Sequence, residues 1–204
     1  MARKSSSWKE RQERDPYVIQ ARRDGWRSRA VYKLEQILQK EKLLRHDMVC
    51  IDLGAAPGGW SQYISAKLNG RCRIIALDLL PMDSLPSVEH IQGDFTEDET
   101  LESVLRMIEG APVDLVLSDI APNISGNKAV DQPRSDYLAE LALDFAAKVL
   151  KRQGNFVCKL FQGQGTDAIV AEARKSFERV RMMKPKASRP GSSEVYLVAR
   201  NYQL

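Results

Sequence analysis

From about residue 47 onward, short apolar runs alternate with segments whose apolar residues recur at helical spacing, and no other feature of the chain limits its fold as tightly. MVCIDLGA (48–55) reads as a buried strand, GGWSQYISAKL (58–68) as a helix and CRIIALDLL (72–80) as a second strand, which makes one β-α-β unit. VEHIQGD (88–94) follows as a third strand, EDETLESVLRMIEG (97–110) as a helix closed by Gly110, and VDLVLSD (113–119) as a fourth strand. The stripe Tyr137, Leu138, Leu141, Ala142, Phe145 and Val149 predicts a longer helix from about Arg134 to Arg152. After it come GNFVCKLF (154–161), a helix near 166–177, and strands around 179–184 and 194–200. Alternation of this kind predicts a seven-stranded, mostly parallel α/β sheet of Rossmann-like type, with helices on both faces. A short Pro-, Gly- and Ser-rich link joins the last two strands and leaves no room for a helical crossover, so the final strand should enter antiparallel. The 204 residues suit one domain over 31–204, preceded by a basic arm over 1–30 whose first fifteen or so residues are expected to be flexible.

Ligands of open α/β sheets bind outside the carboxyl ends of the strands, which puts the weight on the first strand-to-helix turn. Here it reads DLGAAPGGW (52–60). Gly54, Gly58 and Gly59 permit a close backbone approach to a ligand, Ala55 and Ala56 keep the floor shallow, and Pro57 fixes one φ. Neither G-x-G-x-x-G nor G-x-x-x-x-G-K-[ST] is present, so the loop lacks a pyrophosphate cradle. Asp78, ending the second strand, is placed to accept from ribose hydroxyls; Asp94, ending the third, is placed to accept from an exocyclic amine such as that of adenine. A ribose, an adenine and no phosphate describe S-adenosylmethionine.

Charge is placed unevenly. Residues 1–47 hold 13 Lys or Arg against 7 Asp or Glu, although the whole chain has a net charge of only +4. A second basic stretch, Arg174 to Arg189, has only Glu178 against its cations. Interleaved with Trp8, Tyr17, Trp26 and Tyr32, these stretches suit a polyanion with stackable bases, and Arg22, Arg23, Arg27, Arg29, Lys184, Lys186 and Arg189 are the residues expected on RNA. For one basic run alone, a solvated surface is the plainer reading. No apolar run approaches the ~20 residues of a membrane helix and no signal-peptide core is visible, so a cytoplasmic protein without a membrane partner is expected. Cys50, Cys72 and Cys158 lie singly in strand-like runs and read as small buried hydrophobes. His46 and His90, the only histidines, are expected in loops, and no metal site is expected.

The acceptor of a methyl group narrows by elimination. After the fourth strand the chain reads SDIAPNISG (118–126), without the [DN]-P-P-[YF] stretch of amino-directed methyltransferases, and Asn123 stands where an RNA cytosine-C5 methyltransferase would need a cysteine. At this point the sequence resembles the FtsJ family of ribosomal RNA 2′-O-methyltransferases. The likeness covers nearly the whole chain and includes SRAVYKLEQI, DLGAAPGGWSQ, DLVLSDIAPNISG, GNFVCKLFQG and KPKASRPGSSEVYLVA. It implies a class I methyltransferase fold and a catalytic tetrad at Lys33, Asp119, Lys159 and Glu194. It also implies donor contacts at Gly58, Trp60, Asp78 and Asp94, to which the turn and the strand end add Gly54, Pro57, Gly59 and Asp119. The implied substrate is a uridine in the peptidyl-transferase A-loop of 23S rRNA within the large ribosomal subunit, and a monomer is expected.

Position in the sheet supports the tetrad independently. Asp119 closes a parallel strand, Lys159 lies toward the carboxyl end of the next, and Glu194 begins the antiparallel last strand at that same edge. Lys33 joins them only if the helix carrying Val31, Leu34, Ile37 and Leu38 packs on the sheet. Lys159 interrupts an apolar run, where an unpaired ammonium would be costly. A ribose 2′-hydroxyl is a poor nucleophile until its proton has somewhere to go. Lys159, held by Asp119 and Glu194, is expected to serve as its base or, if still protonated, as an orienting cation, with Lys33 adding positive field. Two other classes compete. A nicotinamide-dependent oxidoreductase would share the fold but lacks its glycine fingerprint, and a noncatalytic RNA-binding protein leaves the turn and Lys159 without purpose. Among methyltransferases, a tRNA anticodon loop or an mRNA cap stands as the alternative acceptor.

Overall fold

The computed structural model describes residues 13–123 and 125–204, so most of the expected flexible start lies outside the described residues. Helix α1 (Pro16–Asp24) starts where Asp15 accepts a hydrogen bond from the Tyr17 N–H at 3.0 Å and stops at Gly25, which is left-handed. Then follow α2 (Val31–Glu41), β1 (Met48–Leu53), α3 (Gly59–Lys67), β2 (Cys72–Asp78), β3 (Val88–Gln92), α4 (Asp98–Ile108), β4 (Val113–Ser118), α5 (Lys128–Val149), β5 (Leu150–Phe161), α6 (Thr166–Ser176), β6 (Phe177–Met183) and β7 (Glu194–Tyr202). The seven strands form one sheet in the order β3-β2-β1-β4-β5-β7-β6. The first five are parallel, and β7 runs antiparallel to both β5 and β6. This is the sheet the alternation predicts, with its order reversing at β1 and β4.

Alternate residues of each strand serve opposite faces. On one face Cys50, Leu115, Val157 and Tyr196 pack against Val31, Leu34 and Ile37 of α2 and Trp60 and Ile64 of α3. On the other, Ile51, Val116 and Phe156 pack against α4, α5 and α6. Ile37 and Leu34 are fully buried, each contributing roughly 1.5–3 kcal/mol, and α2 is thereby fixed on the sheet with Lys33 among its buried residues. Ahead of it, Ala21 of α1 packs with Tyr32 and Ala187, flanked by Tyr17 and Trp26.

Four local expectations change. Helix α5 begins at Lys128, not near Arg134, because the Asn127 side chain accepts from the Ala129 N–H at 3.1 Å, and the helix continues through Pro133 despite the bond that residue cannot donate. Strand β5 begins at Leu150 rather than 154, across a register irregularity between Val113 and Leu115. His90 sits inside β3, paired with Ala76, because the strand continues through it. Cys50 and Cys158 are buried as expected, but Cys72, the first residue of β2, is only half-buried.

Candidate active site

The turn after β1 is tied to β2 by Gly54 N–H and Ala55 N–H, which both donate to the Leu77 carbonyl, at 2.8 and 3.1 Å. Gly54 has φ +76, and a Cβ there would stand 2.9 Å from the Ile120 backbone nitrogen, so only glycine fits between β1 and the strand end beyond β4. Gly58 and Gly59 make close approaches within the chain: a Cβ on Gly58 would meet Met82 Sδ of the β2–β3 link at 2.7 Å and Arg27 Nη1 at 2.9 Å, and one on Gly59 would meet Ser28 Oγ at 2.5 Å. Trp60 is 3% exposed, donates its indole N–H to the Ala30 carbonyl at 2.8 Å and lies 5.8 Å from the Tyr196 ring. Of this turn, Gly54 and Ala56 line the cavity, while Pro57, Gly58, Gly59 and Trp60 tie down the segment 27–30 that leads into α2.

That cavity, about 390 Å³, is lined by Gly54, Asp78, Asp94 and Asp119 of the expected donor residues, with Phe95, Ile120 and Leu138 among its apolar walls. Its size and mixed lining suit a nucleoside-sized ligand. Asp78 Oδ2 accepts from Ala56 N–H and Oδ1 from Leu80 N–H, both at 2.9 Å, which fixes the carboxylate and leaves each oxygen a further lone pair. Asp94 Oδ1 accepts from the Thr96 N–H at 2.8 Å and hydroxyl at 2.7 Å. The Thr96 N–H, followed by its hydroxyl, holds the Asp94 carboxyl below the usual range, keeping an acceptor ready for an amine. A nucleoside donor with an amine and a ribose diol thus fits the residues present.

The four residues of the expected tetrad come together, but as two pairs. Lys33 Nζ stands 2.8 Å from Glu194 Oε2. Lys159 Nζ donates to the Asp119 carbonyl at 2.5 Å and stands 3.2 Å from Asp119 Oδ1. Lys159 is therefore held by Asp119 alone, not by both carboxylates. The reason lies in the strand period: Lys159 pairs with Tyr196 in the β5–β7 register, so Glu194, two residues on, shares their face but reaches α2. Sequence reasoning missed two members. Tyr196 donates its hydroxyl to Asp119 Oδ1 at 2.9 Å, and burial, reinforced by the Asp119 and Glu194 charges, keeps its phenol protonated far above neutral pH. Its place two residues after Glu194 was a usable signal. Ser188 donates to Glu194 Oε1 at 2.8 Å, and nothing in the sequence marked it. Cys158, beside Lys159, is pushed up to about 12 by burial and is no thiolate nucleophile.

Asp52, at the end of β1, is a further group that the sequence did not single out. It is 1% exposed and accepts from Ser61 Oγ at 2.7 Å, while its Oδ1 has no partner. Burial pushes its carboxyl up to about 7, the Ser61 bonds oppose this, and the Asp119 and Asp78 charges add to the rise. Among the described residues, no cluster of three or more His, Cys, Asp or Glu could hold a metal ion, and no helix is long and apolar enough to cross a membrane.

The cations expected on RNA differ in how far they are engaged. Arg22 and Arg23 are exposed on α1, Arg23 with its Nε 3.2 Å from Asp24 Oδ1, and Lys186 is exposed on the β6–β7 link. Lys184 donates to the Ser192 carbonyl at 2.7 Å, and Arg189, half-exposed, lies 3.8 Å from Asp15. Arg27 is a buttress: its guanidinium donates to the carbonyls of Pro57 at 3.2 Å, Asp83 at 2.8 Å and Ser84 at 3.0 Å. Arg29 pairs with Asp15 at 3.2 Å and donates to the Ala187 carbonyl.

Comparison with known proteins fits this geometry. The profile of the FtsJ-like methyltransferase family matches residues 26–202. The chain is 52% identical over 206 residues to a protein of Legionella pneumophila (strain Corby) named ribosomal RNA large subunit methyltransferase E, covering 100% of both chains. It is 53% identical over 205 residues to the protein of the same name from Pseudomonas aeruginosa PAO1, covering 100% of this chain and 99% of the other. A crystal structure from Plasmodium falciparum described as a ribosomal RNA methyltransferase superposes with TM-score 0.78 at 30% identity, over 87% of this chain and 98% of that one. The MycE methyltransferase of mycinamycin biosynthesis, at 13% identity and TM-score 0.55 over 84% of this chain and 47% of that one, shares the fold alone.

Proposed function

The chain belongs to the FtsJ-like methyltransferase family, and on that premise we propose that it methylates the 2′-hydroxyl of a uridine in the A-loop of 23S rRNA. In this reading it works as a cytoplasmic monomer on the assembled large ribosomal subunit, with S-adenosylmethionine as donor. One observation carries the reading: Lys159 and Asp119 meet at the edge of a cavity whose walls suit a nucleoside.

When bound, the donor supplies a methyl group on a sulfonium, which departs as a neutral thioether. Asp78 would hold the ribose hydroxyls and Asp94 the adenine amine. Lys159, donating to the Asp119 carbonyl and beside its carboxylate, acts as a fixed cation that orients the incoming 2′-oxygen. Tyr196 holds that carboxylate from the other side. Glu194 and Ser188 keep Lys33 in place as a second cation. As the new C–O bond forms and the S–C bond breaks, the hydroxyl proton passes to water. Positioning of this kind removes up to about 7–11 kcal/mol from a bimolecular barrier.

The test is transfer of labelled methyl to isolated large subunits and, separately, to bulk tRNA, with nucleoside analysis of the products. 2′-O-methyluridine in large-subunit RNA alone is the expected result. Label in tRNA would overturn the ribosomal assignment and keep the chemistry, while no label in either RNA would overturn methyl transfer itself. In the same assay Lys159→Ala should lose at least about a hundredfold in rate while keeping its donor affinity by calorimetry, and undiminished activity would remove the tetrad.

A further inference from the structure

A second cleft, of about 500 Å³, opens between α1 and the link from β6 to β7. Its floor is apolar, made by Pro16, Tyr17 and Pro190 with the buried Ala187 beneath them, and cations stand at its edge, with Lys186 and Arg189 exposed. The walls are already fixed. Asp15 holds Arg29 at 3.2 Å and faces Arg189 at 3.8 Å, and the Arg29 guanidinium also donates to the Ala187 carbonyl. The Tyr17 ring lies 5.5 Å from the Tyr32 ring and 5.6 Å from the Arg29 guanidinium. An occupant would therefore immobilise little that is not immobile beforehand. The remaining lining residue, Ser188, donates to Glu194, whose other oxygen holds Lys33. Ser188 thus links this cleft by a hydrogen bond to the Lys33–Glu194 pair, as Asp119 of the donor cavity is linked to Lys159.

We propose that this cleft binds the nucleotide adjacent to the methylated ribose, with its base on the apolar floor and its phosphate on Lys186 and Arg189. The proposal rests on the methyl-transfer reading above. A free inorganic anion would gain nothing from the floor, and an acidic peptide would bring charge without a flat apolar face. A nucleotide brings both.

The full-length protein, labelled with nitrogen-15, is titrated with the trinucleotide UpUpU, with inorganic phosphate and with a tri-aspartate peptide. The amide signals of Tyr17, Ala187 and Ser188 should move with the trinucleotide and far less with the other two. In the double variant Lys186→Glu, Arg189→Glu the apparent affinity should fall by about tenfold or more. Equal responses to all three probes, or trinucleotide responses confined to the donor cavity, would overturn the proposal. In a parallel assay on isolated large subunits, Tyr17→Leu and the double variant should raise KM for the RNA about tenfold, leaving kcat and the donor KM unchanged, with thermal midpoints checking that both variants fold. An unchanged RNA KM in both variants defeats the cleft and leaves methyl transfer standing. Wild-type protein that transfers no methyl group defeats the underlying reading, and the proposal with it; the titration needs no turnover and so separates that failure from failure of the cleft.

Discussion

Asp52 couples stability to the donor site at one residue, because the burial that makes its charge costly also places it beside the carboxylates of that site. Its carboxyl titrates near 7 in the folded chain and near 3.9 when unfolded. Between about pH 4 and pH 7 the folded state therefore keeps a proton that the unfolded state has released. This group's contribution to stability falls as pH rises through that window and is constant above it, the total loss being at most about 4 kcal/mol. Asp52→Asn, which cannot ionise, should raise the urea midpoint over wild type at pH 8, with the gap closing toward pH 4. A gap of the same size at both pH values would count against the buried-carboxyl account. Asp52 also shows why the sequence reading of the site stopped where it did. The convergence of Lys33, Asp119, Lys159 and Glu194 was legible from strand ends and family motif, whereas their pairing depended on side-chain reach, and an acidic residue inside a motif does not announce that one of its oxygens is left unpaired.

The strand-turn-helix element β1–α3 was placed correctly from its alternation, yet its glycines divide by task in a way composition cannot show. Gly54 packs directly against Ile120 in the wall of the donor cavity, while Gly58 and Gly59 receive Arg27 and Ser28 from the N-terminal segment. Gly54→Ala must strain a left-handed backbone and push on the Ile120 main chain, so it should cost about 1–3 kcal/mol in denaturant unfolding and weaken donor binding in calorimetry. Gly110→Ala is the matched control, with φ +73 but nothing within 4 Å of the added methyl. It should cost about 1 kcal/mol and leave donor affinity alone. Equal donor affinities in the two variants would show that the close approach of Gly54 to Ile120 does not shape the cavity. The element boundaries that reasoning missed, at α5 and β5, have the same origin: an Asn127 cap and a register irregularity outweigh the local pattern of apolar residues.

At the scale of the whole molecule, the sheet was legible because seven apolar runs at strand length leave few topologies once crossovers must be right-handed. The basic arm was legible as charge but not as structure, since Arg27 and Arg29 turn inward to carbonyls and a carboxylate. In the proposed function, steering of RNA then falls to the exposed cations. Arg22→Glu with Arg23→Glu should weaken RNA binding most at low salt and flatten the plot of log affinity against log salt by roughly one for each phosphate no longer neutralised, with the thermal midpoint unmoved. A salt slope equal to that of wild type would remove α1 from the interface. The Lys33–Glu194 pair spans 161 residues, whereas the lining of the donor cavity runs no further along the chain than Leu138. Yet one sheet joins the two parts, and Asp119, which lines the cavity, is itself gripped by Lys159 and Tyr196, so in the proposed function the site is made or lost as a unit: a chain clipped before β7 would forfeit Glu194 and Tyr196 and release the cavity's own Asp119 along with them.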